Sequence, residues 1–156
     1  MAVMLKFDLL GEKQVVRRLE RFSVLVNSAE PVWLAIAEDF LRLERRQFGS
    51  EGEAGSGGWA PLSPAYGAWK AVRYPDSPVL QKDGALVNSL TWAGAPGQVK
   101  DITPFSVTLG TTVPYARLHQ EGTPTMPQRR PIELTETDKV RWAKLLQAWI
   151  IEGGAR

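Results

Sequence analysis

The chain has 156 residues, the length of one domain, and its 44% hydrophobic and 23% charged residues are those of a globular protein with a core of its own. A formal charge of +2, with bases interleaved among acids in RRLER and LRLERRQF, leaves no long basic run of the kind that tracks nucleic acid. The absence of cysteine excludes disulfides, thiolate nucleophiles and cysteine-ligated metals, and no stretch approaches the roughly 20 apolar residues of a membrane span.

Near the N-terminus, Leu5, Phe7 and Leu9 alternate with Lys6 and Asp8, the period-two pattern of a strand with one buried face, expected at a sheet edge. The charges at Lys6, Asp8, Glu12 and Lys13 interrupt any apolar run long enough for a secretory signal, so the chain is expected to act where it is made or to leave by another route. Val15, Val16, Leu19, Phe22, Leu25 and Val26 recur at helical spacing among arginines, which predicts a first amphipathic helix over 12–26. Pro31 suits a first helical turn, with Ser28 or Glu30 available to the open amides before it. Trp33, Ile36, Ala37, Phe40 and Leu43 or Leu41 then form the apolar face of a second helix to about Phe48, leaving Glu38, Asp39, Arg42, Glu44, Arg45 and Arg46 to its other faces.

Residues 49–58 hold five glycines and no apolar side chain larger than alanine, so burial cannot offset their ordering entropy and a mobile loop is predicted. Ser63 followed by Pro64 starts a short third helix that presents Ala65, Trp69 and Val72 on one side, with Tyr66 beside them. Asp83 and Gly84 predict a turn that caps a short helical stretch, followed by a strand near Leu90 to Trp92. Two antiparallel strands joined around Thr103 and Pro104 come next, with Phe105, Val107 and Leu109 on one face. Pro114 opens and Gly122 closes one or two helical turns that carry Tyr115, Leu118 and His119 together. Residues 123–128 form an exposed proline-rich loop, PIEL leads into a last strand, and Thr135 with Asp138 starts a helix that carries Trp142, Leu145, Leu146, Trp149 and Ile150 as far as Gly153 and Gly154. The expected fold is α+β in a single domain over 1–156: a small antiparallel sheet of about four strands, packed against two N-terminal helices and one long C-terminal helix, with a flexible glycine-rich loop.

His119 is the only histidine, and its catalytic use would need a nucleophile and an orienting acid. Ser89, Ser106 and Glu121 can be nominated, but no motif links them to it, and no nucleophile elbow, zinc-binding HExxH or phosphate-binding loop occurs. The favoured reading is a histidine half buried at a helix end and hydrogen-bonded to a backbone carbonyl. Glu51 and Glu53 are the nearest approach to a metal site, in a glycine-rich loop unsuited to hold one. No catalytic residue, metal or cofactor is expected. Trp33, Trp142 and Trp149 lie on apolar stripes and belong in the core, whereas Trp59 and Trp69 suit either the core or a protein interface. Arg129 and Arg130 can meet DNA phosphate or serve as a solvated or subunit-bridging pair.

The order of these signals resembles the phage virion morphogenesis family, the tail-completion or neck proteins of tailed bacteriophages, over about residues 59–150. The family's W-x-P-L-S/T-P opening is matched by Trp59, Pro61, Leu62, Ser63 and Pro64, and its L-x-x-T/D-G-x-L-x-x-S-L/I segment by Leu80, Asp83, Gly84, Leu86, Ser89 and Leu90. Tyr115, Ala116, His119, Gln120 and Gly122 match Y-A-x-x-H-Q-x-G, and Arg130, Pro131, Ile132 and Leu134 match R-P-[FI]-x-x-L, with Ile132 where phenylalanine is frequent. The resemblance implies a structural, non-enzymatic virion protein at the head–tail junction or the top of the tail, present in the host cytoplasm during assembly. It also implies a homo-oligomeric ring, commonly a hexamer, with other neck, connector or tail-tube proteins as partners and passive contact with genomic DNA in the lumen, and no membrane. Candidate subunit or partner contacts are Trp59, Leu62, Tyr66, Trp69, Tyr115, His119, Gln120, Arg129 and Arg130. The alternative is a DNA-binding module that uses Arg45, Arg46, Arg129 and Arg130.

Overall fold

The computed structural model describes residues 12–55 and 57–152, so the strand expected at residues 5–9 and the glycine stop at 153 and 154 lie outside the described residues. Within them the elements run α1 (Glu12–Val26), α2 (Glu30–Gly49), α3 (Pro64–Arg73), α4 (Ala85–Thr91), β1 (Gln98–Ile102), β2 (Val107–Thr111), α5 (Ala116–Glu121) and α6 (Glu136–Glu152).

Helix α2 is the axis of the molecule, packing against α4, both strands and α6. It begins with Pro31 in its first turn and Glu30 facing the positive end of the helix dipole; Ala29 stands at the cap position without a side-chain bond, so Ser28 does not cap it. Phe40 and Phe48 of α2, Leu86 and Leu90 of α4 and Ala116 of α5 form the core, with Leu109, Val113, Ile132 and Trp142 packed around them. Neighbours on several sides bury more of α2 than its apolar stripe. Asp39 and Glu44, expected on its outer faces, are buried, and so is Gln47.

The sheet is smaller than expected. Among the described residues it is a two-stranded hairpin, β1 against β2, with Gln98 opposite Thr111 and Ile102 opposite Val107. The turn around Thr103 and Pro104 is closed by the Thr103 amide donating to the Ser106 carbonyl at 2.8 Å. Residues 90 and 91 are not a strand but the end of α4, where Trp92 N–H bonds to Asn88 at 3.0 Å; the i, i+4 pair Leu86 and Leu90 is buried as a helical face. PIEL is no strand either. Its backbone groups at Ile132 are taken by the Gln120 carboxamide, which donates to the Ile132 carbonyl at 2.9 Å and accepts from its amide at 3.2 Å.

Helix α6 starts as expected, on a reciprocal cap in which Thr135 N–H donates to Asp138 at 3.0 Å and Asp138 N–H donates to the Thr135 hydroxyl at 3.2 Å. Trp33, Trp142 and Trp149 are half buried at element junctions, not sealed in the core, and their indole N–H groups donate to the Pro104 carbonyl, Asp39 and the Leu25 carbonyl. The glycine-rich stretch makes hydrogen-bonded turns in its described residues: Gly52 N–H reaches the Gln47 carbonyl at 2.9 Å and Trp59 N–H the Glu51 carbonyl at 2.8 Å. Gly52 has φ +91°, and a Cβ there would collide with the Trp59 ring. Helix α1 lies against α6 and buries Leu25, while Val16, Leu19, Phe22 and Val24 stay exposed.

Candidate assembly interface

Hydrogen bonds sew the four motif stretches to one another. Arg129, only 5% exposed, extends its guanidinium to the carbonyls of Ala60 and Pro61 at 2.6 and 2.7 Å. Trp59 sends its indole N–H the other way, to the Arg130 carbonyl at 2.9 Å, and sets its ring edge-on to Phe48. Tyr115 donates to Asp83 at 3.3 Å, and Ser89 shares a hydrogen bond of 2.7 Å with Thr111. Gln120, already holding Ile132, accepts from the Gln128 amide at its own carbonyl at 2.8 Å. Short polar groups that looked like surface in the sequence are therefore fasteners between loops whose backbones have no strand or helix to satisfy them.

These fasteners close a cavity of about 420 Å³ between α3, the connector after it, α5 and the loop that follows α5. Leu62, Tyr66, Leu80 and Met126 give its wall an apolar character, and Lys70, Lys82 and Arg129 bring positive charge against the single carboxylate of Asp83. Lys70 is 4% exposed and donates to the Pro78 carbonyl at 2.5 Å. Burial presses its pKa below the usual lysine value, with Glu51 nearby opposing the shift. Burial likewise lowers Arg129. The Lys82 ammonium lies 5.3 Å from the Tyr74 ring centre and 6.0 Å from that of Trp69, which in turn stacks on Tyr66. Burial, then the charge and hydrogen bond of Asp83, hold the Tyr115 phenol above its ordinary value.

His119 stands edge-on to Tyr115 in this wall, its pKa lowered first by burial and then by the Arg129 charge, so it is neutral at pH 7. Its Nδ1 is buried with no partner among the described residues, which corrects the expected ring bond to a backbone carbonyl. The corner is fixed by backbone instead, the His119 carbonyl accepting from Arg129 N–H at 2.9 Å. Ser89, Ser106 and Glu121 bond to Thr111, Thr103 and Arg117, not to His119.

The nine candidate contact residues thus divide. Leu62, Tyr66, Tyr115, His119 and Arg129 line the cavity, and Trp69 is exposed beside Tyr66. Trp59 and Gln120 are internal fasteners, and Arg130 is an exposed residue ion-paired with Glu133 at 3.1 Å. The sequence singles out Leu80 only as a motif residue, and Lys70, Lys82 and Met126 not at all. Only the i, i+4 spacing of Tyr66 and Lys70 hinted at a shared face. Gln120→Ala is expected to lower stability by about 2 kcal/mol, since it strands both backbone groups of Ile132; urea melts of the variant and the parent check this.

A model described as the phage virion morphogenesis family matches residues 10–150. Comparison with curated proteins and with solved structures gives no match to either.

Proposed function

The chain belongs to the phage virion morphogenesis family, and on that premise we propose that it is a ring-forming tail-completion or neck subunit at the head–tail junction, needed to join heads to tails. Family membership carries a structural part in building the virion. Among the described residues no helix is long and apolar enough to cross a membrane.

The apolar face left open on α1 supports the finer reading, because Leu19, 63% exposed, sits with Val16 and Phe22 on one side of a helix that touches only α6 among the closely packed elements. A contiguous apolar face of this kind is covered in an assembly. The cavity face, with Tyr66 and Trp69 exposed beside it, is the second contact surface, and the proline-rich loop that borders it meets neighbouring subunits or connector and tail-tube proteins. The lumen passes DNA without reading it. The four arginines of a DNA-binding reading are engaged internally: Arg45 with the Thr91 carbonyl, Arg46 with Asp138, Arg129 with Ala60 and Pro61, Arg130 with Glu133.

The test is twofold. Native mass measurement of the purified protein, alone and with connector and tail-tube proteins, is expected to show a closed ring, commonly a hexamer. Electron microscopy of phage lacking the protein is expected to show filled heads and tails that do not join, and normal joined particles would overturn the proposal.

A further inference from the structure

We infer that the cavity between α3 and α5 is a docking pocket for an acidic segment of an assembly partner, taking an apolar side chain inside and a neighbouring carboxylate at its rim. This rests on the reading of that face as an assembly surface and adds the chemistry of what binds there.

One of the cavity's cations, Arg129, is buried without a counter-ion, and a second, Lys70, has only Glu51 near it and no ion pair with it. Arg129 and Lys70 are satisfied by neutral carbonyls alone, those of Ala60, Pro61 and Pro78, and neither forms an ion pair among the described residues. A charge removed from water and left with neutral acceptors stays underneutralised, so an arriving carboxylate gains more there than at an open surface. Asp83 answers part of this charge, but it also accepts from Tyr115 and from the Ala85 amide. Lys82 is the mobile cation, exposed and resting over Trp69 and Tyr74, where it can swing to a carboxylate without breaking a structural bond. The apolar part of the wall, Leu62, Leu80 and Met126, fits a volume of about 420 Å³ that holds one large side chain with its flanking backbone. A formal charge of +2 on the chain favours a partner that supplies the acid.

The probe is an acetylated, amidated octapeptide that alternates glutamate and leucine, compared with the same peptide carrying glutamine for glutamate. Both are titrated into the full chain by calorimetry and followed in amide NMR spectra. The acidic peptide is expected to bind at least about tenfold more tightly than the glutamine peptide, and to shift resonances of Leu62, Tyr66 and Tyr115. Lys82→Glu is expected to weaken it by about tenfold or more and Lys82→Arg to preserve it; Lys82 makes no hydrogen bond that the fold needs, so both variants fold. Equal binding of the two peptides, no binding at millimolar concentration, or indifference to Lys82→Glu would overturn the proposal. Self-association of the chain that Lys82→Glu abolishes, without peptide binding, would make a second copy the occupant and overturn it equally. Peptide affinity and ring mass are separate readouts, so either proposal can fail alone.

Discussion

Replacing Glu44 by glutamine is expected to stabilise the protein by roughly 3 kcal/mol at pH 7 and to remove most of its loss of stability on the alkaline side. Glu44 is 1% exposed in the interior face of α2, and its Oε2 has no hydrogen-bond partner among the described residues. Burial alone drives its pKa from 4.5 up to about 9. Between those values the folded chain keeps a proton that the unfolded chain has released. The contribution is therefore fully present below pH 4.5, falls as pH rises, and is gone once pH has passed about 9. A span of 2.5 pH units from 4.5 to 7, at 1.36 kcal/mol each, is the origin of the figure. Glutamine matches the neutral acid in shape and titrates nowhere. Urea melts at pH 5, 7 and 8.5 should show parent midpoints that decline and variant midpoints that stay level. A variant as pH-dependent as its parent would show that Glu44 is charged and paired in the folded state.

Glu44 also shows why part of the fold was hidden in the sequence. The helices were legible from their periods and punctuation: Pro31 and Pro64 in first turns, Asp83 and Gly84 before α4, Thr135 with Asp138 before α6. Periodicity reports one apolar stripe, however, and α2 is packed by α4, the hairpin and α6 together, so charged positions at Asp39 and Glu44 went inside with the stripe. The strand count failed for a related reason. Leu90 and Ile132 sit in short apolar runs that suit a strand or a buried helical turn equally, and the choice was made by distant polar groups, the Gln120 carboxamide above all. The order of the motifs identified the family; the bonds from Trp59 to Arg130 and from Tyr115 to Asp83, which join those stretches, depend on how the chain folds and leave no mark in its order. Buried lysine carries no pattern at all, which is why Lys70 stayed out of sight.

Asp39→Ala is expected to be the most damaging single change in the helical half, at about 2 to 3 kcal/mol, because a buried acceptor of four hydrogen bonds is lost while its partners Arg141 and Arg42 stay partly open to water. Asp39 is 6% exposed, and its Oδ2 receives Trp142 Nε1 at 2.7 Å and the Arg141 guanidinium at 2.6 and 3.1 Å, while its Oδ1 receives Arg42 at 2.6 Å. Arg141 also reaches Asp138 at 2.9 Å, so one carboxylate on α2 locks the start of α6 to the core. Alanine strands the Trp142 N–H and leaves Arg141 with Asp138 alone. Asparagine keeps an acceptor for Trp142 but not the charge, and should lose about half as much. Burial raises the Asp39 and Asp138 pKa values, but hydrogen bonds from Trp142 and Arg141 to the first, and from Thr135 and Arg141 to the second, outweigh it and hold both below 3.8. Their contribution is thus present above the ordinary carboxylate range and is lost as pH falls through the lowered folded values, the reverse of Glu44. Stability is expected to peak between about pH 3.8 and 4.5, where the folded aspartates are ionised and Glu44 still keeps most of its proton in both states. Asp39→Ala should flatten the acid limb and leave the alkaline one, and Glu44→Gln the converse. Melts from pH 3 to 9 on both variants separate the two limbs, and an acid limb that survives Asp39→Ala unchanged would place the acid sensitivity in another group.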